Sequence, residues 1–287
     1  MFSNSTELIP KLDALGYVAN EELATVLFLM LQLNKPLLIE GNPGVGKTEV
    51  ANVLAALFKT NLIRLQCYEG LDVHSAVYEW NYQKQLLAIK LQEQSNLSIQ
   101  QKEDLIFSED YLLKRPLLQA ITAKQQQVLL IDEIDRSDEE FEAFLLELLS
   151  AYQISIPEMG TIKATTQPIV LLTSNRTRAL SDALKRRCLY YWLPYPTKEK
   201  ELTIIYKHLP QIEQTLAQNI VDVVAKIRQL KLEKVPGIAE TLDWTNGLLS
   251  LGIKTIDQEN IIPSLACLLK STDDVTLVKN EWSSIME

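Results

Sequence analysis

A short run of glycines followed by lysine and threonine offers the clearest chemistry near the start of the chain. The run consists of Gly41, Asn42, Pro43, Gly44, Val45, Gly46, Lys47 and Thr48. It follows an apolar stretch at 36–40 and precedes a helical pattern at 49–58. Glycines there allow backbone N–H groups to turn around phosphate oxygens, the lysine adds a charge near the β and γ phosphates, and the threonine hydroxyl can hold Mg²⁺. The run predicts binding of a nucleoside triphosphate with Mg²⁺.

A second candidate is the pair of acids that ends a later apolar run. Residues 128–132 lack a helical stripe, which is typical of a fully buried parallel strand, and the run ends in Asp132 and Glu133. Ligands bind at the carboxyl ends of strands in open α/β sheets. We expect Asp132 to reach Mg²⁺ and Glu133 to orient and deprotonate the attacking water. The alternative, that both acids are only solubilising residues at a strand end, stays open.

Three polar residues farther along the chain extend this site. Asn175 follows the apolar run 168–174, at the same predicted sheet edge as Asp132, where it could hold the attacking water or the γ-phosphate. Arg186 and Arg187 precede the last predicted strand. A single subunit has little use for an arginine there, but an arginine can complete the site of a neighbouring subunit in a ring.

The bulk composition limits the classes of protein that the chain can belong to. Its 287 residues, 47% of them hydrophobic, suffice for one large domain or two modest ones. The apolar stretch 23–31 is too short to cross a bilayer and the N-terminus lacks a secretion signal, so we expect a cytoplasmic protein without a membrane segment. The net charge of −9 opposes binding to nucleic acid. Cys67, Cys188 and Cys267 have no spacing that suggests a disulfide framework or structural metal site.

The pattern of apolar runs predicts an α/β domain followed by a helical one. Strands are expected near 36–40, 62–66, 128–132, 169–174 and 189–193, with helices near 21–33, 48–59 and 138–152. Ser137 is expected to cap the last of these helices. This arrangement indicates a parallel sheet covered by helices. Beyond residue 195 only helical patterns follow, near 197–209, 211–232, 238–251, 258–269 and 272–285. We therefore predict domains at 1–195 and 196–287, with hairpin insertions near 67–82 and 153–164.

These motifs together resemble the AAA+ ATPases, and specifically the MoxR family. The resemblance spans nearly the whole chain and depends on 41–48, 128–136, Asn175 and Arg187, with a helical lid after residue 195. Segments 66–72, 76–82 and 186–190 are most similar to the branch associated with maturation of molybdenum-copper carbon monoxide dehydrogenase. The resemblance implies a P-loop NTPase fold with a five-stranded parallel sheet. It also implies a homo-hexameric ring that uses ATP to remodel a client metalloenzyme, with a partner that carries a von Willebrand factor A domain.

The resemblance also implies a role for each motif residue. Lys47 would contact the β and γ phosphates, Thr48 and Asp132 would hold Mg²⁺, and Glu133 would activate water. The remaining loop residues, Gly41, Asn42, Pro43, Gly44, Val45 and Gly46, would line the nucleotide phosphates.

The resemblance also implies roles for residues outside the phosphate-binding loop and the strand-end acids. Asn175 would match sensor 1 and Arg187 the arginine finger that acts on a neighbouring subunit, with Arg186 as a close rival. Val18, in the segment 16–18, would contact adenine, although the same residues could instead form a hydrophobic staple into the next helix.

One departure from the family concerns the lid. Many relatives carry an arginine, sensor 2, near the start of the helix that here begins around 236–241, but no basic residue lies between Lys234 and Lys254. We expect lid closure to use another contact, or nucleotide state to be coupled more weakly to lid position.

Two alternative functions stay open beside the protein-remodelling ATPase. An AAA+ motor that acts on nucleic acid, of the helicase or restriction-subunit type, is disfavoured by the acidic balance of the chain. A nucleotide-gated binding module that barely hydrolyses ATP is disfavoured by the pair Asp132 and Glu133.

Overall fold

Apolar runs in the sequence become the strands of a parallel sheet. The structure is a computed structural model that describes residues 2–91, 98–157, 159–256 and 261–286, except for the side chains of residues 73 and 74. Its strands are β1 (Leu37–Glu40), β2 (Leu62–Gln66), β3 (Tyr78–Trp80), β4 (Leu112–Lys114), β5 (Val128–Asp132), β6 (Gln153–Ile156), β7 (Gly160–Lys163), β8 (Ile169–Ser174) and β9 (Leu189–Trp192).

Five of these strands form the main sheet, in the order β2-β5-β8-β1-β9. Every residue of β1, β5 and β8 is buried, because the three central strands are covered on both faces. Glu40 pairs with Ser174 in the β1–β8 register, and Gln66 pairs with Asp132 in the β2–β5 register. The predicted five-stranded parallel sheet is confirmed. Its carboxyl edge therefore carries the strand-end residues Glu40, Gln66, Asp132 and Ser174.

Helices cover this sheet and make up the C-terminal part of the chain. They are α1 (Leu8–Ala14), α2 (Glu21–Leu33), α3 (Lys47–Phe58), α4 (Val73–Ala76), α5 (Tyr82–Leu91), α6 (Ile99–Ile106), α7 (Pro116–Thr122), α8 (Glu139–Ala151), α9 (Asp182–Arg187), α10 (Lys198–His208), α11 (Gln214–Ile227), α12 (Ile238–Ser250), α13 (Leu265–Leu268), α14 (Thr272–Asn280) and α15 (Trp282–Met286). Among the described residues, no helix is long and apolar enough to cross a membrane.

The cap of α8 differs from the prediction. Asp138, not Ser137, caps the helix, since the Asp138 carboxylate accepts a hydrogen bond from Phe141 N at 2.8 Å. Ser137 is buried and its hydroxyl donates to the carbonyl of Ile134 at 2.9 Å. The expected cap was wrong by one residue because the preceding 3-10 turn, Ile134–Arg136, takes the serine hydroxyl.

Two small hairpins are inserted around the sheet. Segment 153–164 contains the antiparallel pair β6 and β7, and Glu158, which lies between them in the sequence, is outside the described residues. Segment 67–82 contains α4 and β3, but β3 pairs with β4, which follows α5 and α6. The described residues between β3 and β4 therefore include the helices α5 and α6, so these two strands are not joined by a tight turn within 67–82.

The chain clusters into two compact units, each with its own core. The first comprises Met1–Ala24, Gly41–Val50 and Trp192–Glu287, and the second comprises Thr25–Glu40 and Ala51–Tyr191. In the first unit, α10–α15 enclose a core around Trp244, whose indole N–H donates to Ser264 Oγ at 2.8 Å. In the second, the sheet packs against α7, α8 and the β3–β4 insertion. A domain boundary near residue 195 stays a prediction, as does a helix at 258–269, of which 258–260 lie outside the described residues.

Candidate nucleotide-binding site

The phosphate-binding loop connects β1 to α3 and has the backbone expected of such a loop. Gly44 and Gly46 have φ of 74° and 92°, in the left-handed region that residues other than glycine rarely adopt. The Lys47 ammonium is buried and donates to the carbonyls of Gly41 at 2.7 Å and Asn42 at 2.8 Å. Thr48 lies in the first turn of α3 and is half-buried. A loop that encloses its own ammonium group fits a phosphate, because the donor is already positioned inside the loop.

Glycines also bring the start of α12 against this loop. A Cβ added to Gly237 would meet Gly44 C, O and Cα at 2.5, 2.6 and 2.7 Å, and a Cβ on Gly44 would meet Glu240 Oε2 at 2.5 Å. The Ala239 N–H donates to the Gly44 carbonyl at 3.2 Å. The Glu240 carboxylate caps α12 by accepting from Gly237 N at 2.9 Å. The α12 segment that lacks a basic residue therefore contacts the loop through its backbone.

Arg228, at the end of α11, holds the segment before α12 in place. Its guanidinium donates two hydrogen bonds to the buried Glu201 carboxylate, at 2.7 and 2.8 Å, and one to the carbonyl of Pro236 at 2.8 Å. It also donates to Thr241 Oγ1 at 3.2 Å and lies over the Tyr195 ring. Paired and buried guanidinium groups of this kind make a rigid junction. The sequence analysis missed Arg228 because it lies outside the helix in which a lid arginine was expected.

Asp132, the last residue of β5, has its two carboxylate oxygens in different environments. Oδ1 accepts a hydrogen bond from the hydroxyl of the buried Thr173 on β8. Oδ2 lies 2.5 Å from Arg64 Nη2. The Asp132 side chain is only 4% exposed, whereas that of Arg64 is 52% exposed. A carboxylate oxygen that already pairs with a half-exposed cationic side chain fits a divalent cation, so the residues present fit the expected Mg²⁺.

Glu133 follows directly, in a left-handed backbone conformation with φ of 54° and ψ of 49°. Its N–H donates to Thr173 Oγ1 at 2.9 Å, which anchors this uncommon conformation. Its carboxylate accepts from Gln66 Nε2 at 3.1 Å, from Asn175 Nδ2 at 3.4 Å and from Arg136 Nη1 at 3.3 Å. The fold therefore brings Asp132, Glu133 and Asn175 together at one edge of the sheet.

A buried carboxylate behind Asn175 shapes the turn after β8. Asp135 is 2% exposed and accepts the backbone N–H groups of Asn175, at 3.2 Å to each oxygen, and of Thr177 at 2.8 Å. It also accepts the Thr177 hydroxyl at 2.7 Å. Asp135 is thus a positioning residue for Asn175. Sequence reasoning missed it, although its position two residues after Glu133 was a usable signal.

Negative charge dominates this edge of the second unit. Burial, followed by the nearby carboxylates of Asp132, Asp135 and Glu133, raises the pKa of the Cys67 thiol to about 12. A cleft of about 720 Å³ opens beside these groups. The residues that line it are Glu69, Gly70, Glu133, Asp135, Arg136, Ser137, Asp138, Glu139, Asn175, Thr177 and Arg178. Such a cleft can hold water beside Glu133 and favours a cationic group.

The two candidate finger arginines differ in their contacts. Arg187 Nε donates to Ser150 Oγ at 2.5 Å and Nη1 donates to the carbonyl of Ala183 at 2.9 Å. Arg186 is exposed on α9. Val18, the candidate adenine contact, is half-buried and lies in the first unit, in the segment that follows α1 in the sequence. Within the described part of the chain, no group of three or more His, Cys, Asp or Glu residues could hold a metal ion.

Comparison with known proteins identifies the family. Residues 36–188, more than half of the chain, match the AAA domain of the dynein-related subfamily. The chain belongs to this family. The matched region of this AAA+ protein contains the phosphate-binding loop, Asp132, Glu133, Asn175 and both candidate finger arginines.

Two bacterial proteins and two solved structures are similar to this AAA+ protein. Proteins from two strains of Staphylococcus epidermidis, both named as uncharacterized, are 25% identical over 247 residues, covering 82% of this chain and 86% of their own length. Two mutant structures of RuvB from Thermotoga maritima are 19% and 18% identical, with TM-scores of 0.51 and 0.50. They cover 87% and 92% of this chain, and in each case 70% of the RuvB chain is matched. The likeness to RuvB shows the fold: a five-stranded parallel sheet of the P-loop AAA+ type with a helical C-terminal region.

Proposed function

We propose that this AAA+ protein is a Mg²⁺-dependent ATPase of the MoxR type that converts ATP to ADP and phosphate. The observation that carries the proposal is the joint anchoring of Asp132 and Glu133 by one buried hydroxyl, that of Thr173. The hydroxyl donates to the Asp132 carboxylate and accepts from the Glu133 backbone N–H, so it fixes a metal-binding oxygen and the backbone of the catalytic base relative to each other. Catalysis of phosphoryl transfer depends mostly on such positioning.

Each residue then has a defined task in the reaction. The backbone of 41–46 and the Lys47 ammonium bind the phosphates, while Thr48 and Asp132 hold Mg²⁺. Mg²⁺, when bound, neutralises charge on the phosphate oxygens. The Glu133 carboxylate accepts a proton from the attacking water, and the Asn175 amide, 3.4 Å from Glu133 Oε1, orients that water or the γ-phosphate.

We propose Arg186, in place of Arg187, as the arginine finger that acts on a neighbouring subunit. The Arg187 guanidinium already bonds two groups of its own subunit, Ser150 and Ala183, and would have to leave them to reach a neighbour. Arg186 is exposed on the same helix. We therefore reverse the order expected from the family resemblance. A finger that acts on a neighbouring subunit requires a ring, and we propose a homo-hexamer.

We further propose that the ring acts in the cytoplasm on a protein client, a metalloenzyme, with a partner that carries a von Willebrand factor A domain. The MoxR-like segments 66–72, 76–82 and 186–190 support this finer assignment. The net charge of −9 also favours a protein client over the phosphate backbone of nucleic acid.

The test compares possible clients as activators of ATP hydrolysis. Steady-state hydrolysis is measured alone, with single- and double-stranded DNA, and with the proteins that stay bound to Glu133→Gln in the presence of ATP. We expect stimulation by the bound proteins and none by DNA. Stimulation by DNA alone would replace the remodelling function with that of a nucleic-acid motor.

A further inference from the structure

Arg64 connects the two acidic residues of the site although it belongs to neither motif. It lies on the edge strand β2, two residues before Gln66, so both side chains lie on the same face of the strand. Arg64 Nη2 is 2.5 Å from Asp132 Oδ2 and 2.7 Å from Gln66 Oε1. Gln66 Nε2 in turn donates to Glu133 Oε2 at 3.1 Å. One arginine thus reaches Asp132 directly and Glu133 through one amide.

The two oxygens of Asp132 differ in how firmly their partners are held. Thr173, which bonds Oδ1, is fully buried near the carboxyl end of the buried strand β8. Arg64, which pairs with Oδ2, has a side chain that is 52% exposed, so it can move into solvent at little cost. Oδ2 is therefore the oxygen that a divalent cation can reach, and Arg64 occupies it.

We propose that Arg64 is a positioning residue that competes with the divalent cation for Oδ2 of Asp132 and ties cation binding to the release of Glu133. The inference rests on the proposed ATPase function. When the guanidinium leaves Oδ2, it also leaves Gln66 Oε1, and the Gln66 amide is then free to turn away from Glu133. Without the Arg64 guanidinium, the cation meets less electrostatic repulsion near Asp132, since like charges close together oppose each other. It also has no ion pair to break before it binds.

The experiment measures how ADP binding depends on the concentration of free Mg²⁺, so that no hydrolysis is needed. A fluorescent ADP analogue is titrated against full-length wild type, Arg64→Ala, Arg64→Gln and Arg64→Lys over a range of buffered Mg²⁺. Removal of a partly exposed competing charge should lower the half-saturating Mg²⁺ concentration roughly three- to tenfold in Arg64→Ala and Arg64→Gln. Arg64→Lys, which keeps a cation, should restore at least part of the wild-type dependence.

Arg115→Ala is the matched control. Arg115 is 45% exposed and also pairs with one carboxylate, that of Glu79, in the same unit. Its removal should leave the Mg²⁺ dependence unchanged, and melting temperatures should show that every variant is folded.

The outcomes separate this inference from the proposed function. If the Arg64 variants bind ADP with an unchanged or higher Mg²⁺ requirement, the role of Arg64 is wrong while the ATPase assignment survives. A wild-type protein that binds no ADP at any Mg²⁺ concentration would overturn both. A lower requirement in Arg64→Ala and Arg64→Gln, partly reversed in Arg64→Lys, supports the inference.

Discussion

Thr173→Val removes one hydroxyl from the centre of the site and leaves nearly the same side-chain shape. The hydroxyl donates to Asp132 Oδ1 and accepts from the N–H of Glu133 at 2.9 Å, and Thr173 is fully buried. In the variant, the Glu133 N–H has lost its partner and the Asp132 carboxylate has lost a charge-assisted hydrogen bond. No other group is displaced, so both losses can be assigned to the hydroxyl.

The expected magnitude follows from these two bonds. A buried donor left unpaired costs about 1–3 kcal/mol, and a hydrogen bond to a charged group contributes about 1.5–3 kcal/mol. Because neighbouring losses are not additive, we expect the free energy of unfolding to fall by roughly 2–5 kcal/mol. For a chain of this size, the melting temperature should fall by roughly 5–15 °C. ATP turnover should fall more than ADP affinity, because Glu133 loses the bond that anchors its left-handed backbone.

The assay combines thermal denaturation with steady-state ATP hydrolysis and ADP binding. Thr203→Val is the control, since Thr203 is exposed on α10 and its hydroxyl donates at 2.9 Å to the carbonyl of Glu199. It should change the melting temperature and turnover little. If Thr173→Val behaves like Thr203→Val in both measurements, the joint anchoring of Asp132 and Glu133 does not matter for function.

Three further experiments test other parts of the structure. Gly237→Ala puts a Cβ within 2.5–2.7 Å of the Gly44 backbone, so it should weaken ADP binding roughly tenfold by displacing the phosphate-binding loop. Arg186→Ala should lower turnover in the assembled ring with little change in ADP affinity, whereas Arg187→Ala should lower turnover less and mainly reduce stability through its lost bond to Ser150. The Cys67 thiol should resist alkylation at pH 8 in the folded protein, because burial and nearby carboxylates raise its pKa to about 12.

Each of these has a control and a contrary outcome. The control for Gly237→Ala is Gly247→Ala, within the same helix, which should leave ADP binding unchanged. If both variants weaken ADP binding equally, the contact of α12 with the loop does not explain the loss. A larger loss of turnover in Arg187→Ala than in Arg186→Ala would restore Arg187 as the finger. Alkylation of Cys67 in folded protein at the rate seen in urea would show that burial and the nearby carboxylates do not suppress its ionisation.

Local patterns were enough to predict the sheet and the residues at its edge. The buried strands β1, β5 and β8 are continuous apolar runs, and a parallel sheet places their carboxyl ends together, so Asp132 and Asn175 could be assigned to one edge without coordinates. The phosphate-binding loop is likewise a local pattern, since its glycines and Lys47 are adjacent in sequence.

The unpredicted features depend on contacts between residues far apart in the chain. The contacts of Asp132 and Glu133 with Arg64, Gln66 and Thr173 depend on the register of β2, β5 and β8. The sequence does not specify this register. The pairing of β3 with β4 was also not predicted, because each strand has three residues and the described residues between them include the helices α5 and α6. Short strands with a distant partner carry too weak a pattern to be paired from sequence.

The most direct test of the central claim is to separate nucleotide binding from hydrolysis in Glu133→Gln. This change keeps the size of the side chain and removes its ability to accept a proton. We expect ATP affinity, measured with a fluorescent analogue and Mg²⁺, to stay within about threefold of wild type, while turnover falls by roughly two or more orders of magnitude. Undiminished hydrolysis in Glu133→Gln, with the wild type active, would contradict the assignment of this strand-end acid as the catalytic base.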